Sequence, residues 1–179
     1  VLLKDLMPPA NAPRRTIFFD LADPQKRTDD DIKHALDLIA RFNERFNVIL
    51  GLNEKEAYEV SEAIGFPQRE RSAENLARLT LELHERIPVD TIVVHPVAYA
   101  LATNAGAVST VRGPFVPKPK ITTGAGDHFN SGFCLGKLLG LNNAECVLTG
   151  VSTSGYYVSN ATSPTVADLA GFLRNWPSK

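Results

Sequence analysis

Residues 121–133 read ITTGAGDHFNSGF, and the reading of the whole chain turns on them. Thr122 and Thr123 are small and polar, Gly124, Ala125 and Gly126 leave the backbone almost bare, and the spacing of Phe129 and Phe133 begins a helix around Asp127. A bare turn running into a helix leaves unpaired N–H groups aimed at one point, with the positive end of the helix dipole behind them. Such a place accepts an anion, most naturally a phosphate. A carboxylate set there would repel that anion, so its sensible task is to take a proton from a nucleophile attacking the phosphate. The stretch therefore reads as phosphoryl-transfer machinery. GAGD by itself is also an ordinary loop with an N-cap aspartate, and on these residues alone that alternative stays open.

Two other phosphate-binding devices are excluded. The chain has no Gly-x-x-x-x-Gly-Lys-Ser/Thr, so it is not a P-loop protein. Nor is it a dinucleotide fingerprint, because Phe129 stands where the third glycine belongs and Pro117 and Pro119 make a poor central strand of what precedes.

The run Gly124, Ala125, Gly126, Asp127, Phe129, Gly132 resembles the C-terminal signature of the ribokinase-like (PfkB) carbohydrate kinases, with six matching positions in a nine-residue window. The resemblance implies that the turn formed by Gly124, Ala125 and Gly126 is an anion hole for the transferred phosphate. It also implies that Asp127 is the catalytic base activating a sugar hydroxyl, with ATP as phosphoryl donor. It extends from about Thr16 to the end of the chain and covers the later half of a family member. The early glycine-rich sugar-binding signature and the lid strands have no counterpart here.

With 179 residues, 44% hydrophobic and 22% charged, the chain suits one ordinary α/β domain with a real core. A net charge of -1 with mixed signs gives no reason to expect nucleic acid as a partner. Cys134 and Cys146 are too few for a disulfide framework or zinc site and read as buried thiols of a reducing, cytoplasmic compartment. No apolar run approaches the roughly 18 residues of a membrane span. The opening VLLKDLMPPANAPRR reads like a connection entered partway, so residues 1–179 are expected to be the C-terminal ATP-binding part of a larger kinase.

Residues 16–19 form a short β-favouring run ending at Asp20, and the loop DLADPQKR follows with Asp23. Asp29 to Asp31 offer an acidic first turn, and Ile32, Leu36, Ile39, Phe42 and Phe46 predict a helix to about Phe46. A strand is expected at 48–50, helices at 54–64 and from Ser72 to before Pro88, and a strand at 91–94. This alternation predicts a mostly parallel sheet with helices on its faces, a three-layer α/β/α sandwich. Ligands of such sheets lie beyond the carboxyl ends of the strands, where Asp20, Asn53 and His95 fall. Residues 104–106 suggest a hairpin turn, 113–120 a proline-rich approach, and three further helices end the chain, to about Leu139, from about Asn142 to Tyr157, and from Val166 to Trp176.

Asn53 and Glu56 have the spacing to position a hydrated Mg²⁺ near phosphates, and equally the spacing of a capping box. Asn142 and Glu145 repeat it and read only as a cap. The ribokinase-like family has an Asn-x-x-Glu motif at the first place, so the resemblance implies Mg²⁺ and phosphate positioning by Asn53 and Glu56. Asp20 and Asp23 read as a variant of an acidic family loop or as a solvated loop. His95 reads as a phosphate donor or a hydrogen-bonded structural histidine, and His128 as a residue tuning the base, a pocket residue or a structural one. Phe18, Phe19, Phe42, Phe46, Phe129 and Phe133 are expected in the core.

Three departures from the family stand out. HPVAYAL replaces a glycine-bearing loop that touches nucleotide phosphates, and Ile121 stands where many members have the Asp associated with monovalent-cation activation, which leaves such activation uncertain. The helix after Asn142 offers Gly150, Ser154 and Gly155 for an adenine pocket, but also Tyr156 and Tyr157; ATP contact is assigned to Gly150 and Ser154. The expected activity is ATP-dependent phosphorylation of a sugar-like hydroxyl. A nucleoside or vitamin kinase of the same fold, or a catalytically inactive nucleotide-binding protein, are its rivals. A homodimer is compatible with these residues and not specified by them.

Overall fold

Apolar runs of four to seven residues separated by capped amphipathic segments set the element order, and the computed structural model follows it closely. It describes residue 5 and residues 7–21, 23–104 and 106–178. Most of the opening VLLKDL, Ala22 of the acidic loop and the middle of the expected 104–106 turn lie outside the described residues. The strands are β1 (Arg15–Asp20), β2 (Phe46–Leu52), β3 (Thr91–Val94), β4 (Tyr99–Asn104) and β5 (Ala107–Arg112), which lie in one sheet in the order β1-β2-β3-β4-β5. β1, β2 and β3 are parallel, with Phe18 opposite Ile49 and Gly51 opposite Val93.

The chain divides into two compact units, the first comprising Val1–Val94 with Thr103–Val108. In it the helices are α1 (Asp29–Phe42), α2 (Glu54–Ala63) and α3 (Ala73–Arg86). Its core is the fully buried centre of β2 and β3, Val48, Ile49, Leu50, Ile92 and Val93, joined by Leu76, Leu79 and Leu83 from α3 and Ile32, Leu36 and Ile39 from α1. α1 stops at Phe42 instead of reaching Phe46. The Asn43 side chain accepts the Val48 N–H at 3.2 Å and commits the chain to the strand, so Phe46 begins β2 despite its helical spacing from Phe42. Phe18, Phe19 and Phe46 are half-buried, not core, because β1 is the terminal strand of the sheet in this chain.

The second unit comprises His95–Ala102 and Ser109–Lys179 and holds α4 (Ala125–Leu138), α5 (Asn143–Asn160) and α6 (Val166–Arg174). α5 runs three residues beyond Tyr157, and α6 ends two before Trp176, whose ring packs on Phe172 at 6.0 Å. α4 and α5 lie antiparallel at close range, and glycines make the approach. A Cβ on Gly132 would stand 2.3 Å from Thr153 Oγ1 and 2.7 Å from the Thr149 carbonyl oxygen. A Cβ on Gly136 would meet Cys146 at 2.9 Å, and one on Gly150 would meet the Phe129 ring at 2.7 Å. Phe129 and Phe133 are buried in this pair, as expected. Cys146 is buried, whereas Cys134 is only half-buried. Among the described residues no helix is long and apolar enough to cross a membrane.

Candidate functional site

Among the described residues, five of the six helices α1–α6 begin with a side-chain oxygen accepting an N–H of the first turn: Thr28, Asn53, Ser72, Asn142 and Thr165. α4 does not. Its N-cap is Gly124, in the left-handed region at φ 85°, which favours glycine and provides no capping atom. Four of the other helices carry an acid at the third position, Asp31, Glu56, Glu145 and Asp168, and each reaches back to its own N-cap N–H. Asp127 occupies the same position in α4 and is exposed, while the hydroxyl of Ser131 donates to its backbone carbonyl at 2.8 Å. The first-turn N–H groups of Gly126 and Asp127 have no intrahelical partner, so the helix start presents donors with a carboxylate beside them.

Ala125 departs from its expected part in the hole. Its N–H donates to the Thr122 carbonyl at 3.1 Å, closing the turn rather than facing outward. His95, immediately after β3, packs onto this turn. A Cβ on Gly126 would approach His95 Cε1 to 3.2 Å, and the imidazole lies 4.9 Å from the Phe129 ring. Close packing pushes the His95 pKa down to about 4, with the Asp127 carboxylate opposing that shift weakly. The ring is therefore neutral at pH 7. The hydrogen bond that bears on it comes from its own backbone.

Both nitrogens of the His128 imidazole have partners. Its Nδ1 donates to the Gly124 carbonyl at 2.7 Å, its Nε2 accepts from Ser163 Oγ at 2.9 Å, and the ring stacks on Tyr157 at 3.5 Å. Gly150 and Gly155 are accounted for by packing against Phe129 and Pro114, while Ser154 stays partly exposed.

The second group of expected site residues lies in the first unit, at the start of α2. Asn53 Oδ1 accepts the Glu56 N–H at 2.9 Å and Glu56 Oε2 accepts the Asn53 N–H at 2.8 Å, so the pair is a capping box, the same geometry as Asn142 with Glu145. Burial separates them: Glu56 is 7% exposed and Glu145 lies at the surface. Burial raises the Glu56 pKa above the ordinary 4.5; backbone N–H groups of Asn53 and Asp23 oppose the shift, and the Asp20 and Glu59 carboxylates add to it. Asp23 itself is paired with Lys26 at 2.8 Å. Among the described residues no three His, Cys, Asp or Glu side chains form a metal-binding group. Asn53 and Glu56 therefore fit a hydrated Mg²⁺ only through its water shell, where a cation would offset the repulsion among Glu56, Asp20 and Glu59.

A carboxyl that is easier to protonate folded than unfolded contributes stability that is full below pH 4.5 and is lost as pH rises through its raised folded value. Glu56→Gln keeps an oxygen for the Asn53 N–H and removes that loss. Thermal unfolding between pH 4.5 and 7.5 is expected to show a variant whose advantage over the wild type grows with pH. Parallel curves would show that burial of Glu56 carries no such cost.

The model of one protein family, described as prokaryotic ketohexokinase, matches residues 2–176. The chain belongs to the prokaryotic ketohexokinase family. This family member is 25% identical over 175 residues to a ketohexokinase of Haloferax volcanii, an alignment spanning 98% of the chain and 45% of the relative. Among solved structures it resembles a ribokinase of Thermotoga maritima, with TM-score 0.67, 22% identity, and coverage of 89% of this chain and 49% of that one. It likewise resembles a ribokinase of Cryptococcus neoformans var. grubii in complex with ADP, with TM-score 0.69, 22% identity, and 87% and 51% coverage. These likenesses establish the expected fold class, the ribokinase-like α/β sandwich with a mostly parallel sheet. The ketohexokinase-family chain spans about half the length of the relatives it matches.

Proposed function

We propose that the protein containing this chain transfers the γ-phosphoryl group of ATP to a hydroxyl of a small sugar, a ketohexose before others, and that the chain is its C-terminal ATP-binding part. The observation that carries the reading is Asp127: alone among the acids at the third position of these helices, it leaves its carboxylate exposed beside uncapped amides. The family match and the name of the Haloferax volcanii relative favour a ketohexose over a nucleoside or vitamin.

In this mechanism Asp127 accepts the proton of the attacking hydroxyl, so that the oxygen becomes nucleophilic as it approaches the phosphorus. The N–H groups of Gly126 and Asp127, with the dipole of α4 behind them, stabilise the charge that builds on the moving phosphoryl oxygens. Neutral His95 packs against Gly126 and helps keep water from one side of the turn. Asn53 and Glu56 would hold a Mg²⁺ ion through its bound water, and that ion would supply neutralisation of phosphate charge. Ser154 is the remaining candidate of its helix for nucleotide contact. No monovalent-cation role is assigned, since Ile121 offers no carboxylate. The free thiols Cys134 and Cys146 agree with a cytoplasmic site of action.

An acceptor panel with the full-length protein and Mg·ATP tests the substrate class. ADP release stimulated by a ketohexose and much less by aldohexoses, nucleosides or pyridoxal supports the proposal. Preference for a nucleoside would move the protein to the rival kinase class, and tight ATP binding without acceptor-stimulated ADP would make it a nucleotide-binding protein.

A further inference from the structure

The turn that precedes Asp127 is held from behind. Tyr157 Oη donates to the Thr123 carbonyl at 3.0 Å, and His128 Nδ1 donates to the Gly124 carbonyl at 2.7 Å, an oxygen that also accepts the His128 backbone N–H at 3.0 Å. The two rings are stacked at 3.5 Å and 10°, and Ser163 fixes the far side of the imidazole at 2.9 Å. Because His128 Nδ1 donates, its Nε2 accepts from Ser163 in the neutral tautomer. Two side chains, one of them backed by Ser163, thus engage two consecutive peptide planes on either side of Gly124.

A peptide plane is rigid, with its N–H pointing opposite to its C=O. Fixing the Thr123 carbonyl fixes the N–H of Gly124, and fixing the Gly124 carbonyl fixes that of Ala125. Gly124 needs such restraint most, since glycine at φ 85° has no side chain to limit its rotation and no cap. It also cannot be replaced cheaply, because a Cβ there would come within 3.3 Å of Tyr157 Oη.

We propose that His128, Tyr157 and Ser163 are positioning residues, a clamp that locks the Gly124 turn and thereby presets the start of α4, with the Gly126 and Asp127 N–H groups that follow the turn, toward the transferred phosphoryl group. The inference rests on the phosphoryl-transfer reading of Asp127 and adds to it what orients the hole. A donor set that is already aimed requires no reorganisation during the reaction, so loosening it should affect the chemical step more than ground-state binding.

The test uses the full-length protein. Tyr157→Phe removes one donor and leaves the stack, and His128→Leu removes the other. His128→Asn restores a donor to the carbonyl four residues back, a bond that Asn160 and Asn175 already make in this structure at 2.9 Å. Each donor loss is expected to lower kcat about tenfold, within the range caused by small misplacements of reacting groups, with KM for ATP and acceptor changed less than about twofold. His128→Asn should recover most of the lost kcat. Wild-type kcat in both Tyr157→Phe and His128→Leu, a loss seen in KM alone, or a loss His128→Asn does not relieve would overturn the clamp. Asp127→Asn measured alongside separates the two claims. Full turnover in that variant would remove the underlying reading, whereas its inactivity beside fully active clamp variants would remove the clamp only.

Discussion

Asp127→Asn in the full-length protein is expected to lower kcat by about 10²–10⁴-fold, the usual worth of a positioned general base, while ATP binds at least as tightly as before. The two halves of that expectation come from one feature. The exposed carboxylate at the third position of α4 makes no capping bond, so the helix start does not need it for folding. It also sits among donors that attract phosphate, where its own charge works against the anion. Asparagine keeps the size and removes both the proton acceptor and the repulsion. Turnover measured beside ATP affinity checks this; a variant that lost ATP binding but kept its rate when saturated would make Asp127 a nucleotide ligand instead.

Gly132→Ala is expected to destabilise the protein by about 1–3 kcal/mol or more, the cost of overpacking a filled interior. The added methyl would lie 2.7 Å from the Thr149 carbonyl oxygen, and backbone in the middle of α5 cannot step aside without moving the helix. Thr153 Oγ1, 2.3 Å away, is itself bonded to that carbonyl at 2.8 Å, which blocks the easier escape. Gly171→Ala in α6 is the matched control. Nothing lies within 4 Å of its added Cβ, so it should gain up to about 1 kcal/mol from helix propensity. Thermal midpoints of the two variants should move in opposite directions. Equal midpoints would mean that the α4–α5 contact is looser than its distances say.

Much of this architecture was legible because its signals are local. Ser72, Gly65 and Pro88 punctuate the helices where the structure begins and ends them, and the four-residue run at β3 matches to the residue. Phe46 misleads because an i, i+4 pair of phenylalanines looks helical, while the bond that breaks the pattern, Asn43 to Val48, depends on where the strand pairs. Burial of Phe18 and Phe19 cannot be judged without knowing that β1 ends the sheet.

The candidate site divides along the same line. GAGD with Phe129 and Gly132 was readable through its resemblance to the ribokinase-like signature, and the ambiguity of Asn53 with Glu56 from spacing, which the structure turns into a capping box distinguished only by burial. The engagement of the Ala125 N–H by Thr122 depends on the path of the turn, which residue types do not specify. His128 carries no legible sign of its role, since Tyr157 and Ser163 lie 29 and 35 positions further along. Gly150 was read as leaving room for a nucleotide; in the structure a Cβ on it would meet the Phe129 ring at 2.7 Å.

The most direct measurement is phosphorus NMR of the full-length protein with Mg·ATP and a ketohexose. The account predicts a new phosphomonoester signal that grows in step with ADP, with little inorganic phosphate, and that fails to appear with Asp127→Asn. ATP left unchanged with every acceptor, or consumed only to inorganic phosphate, would contradict it.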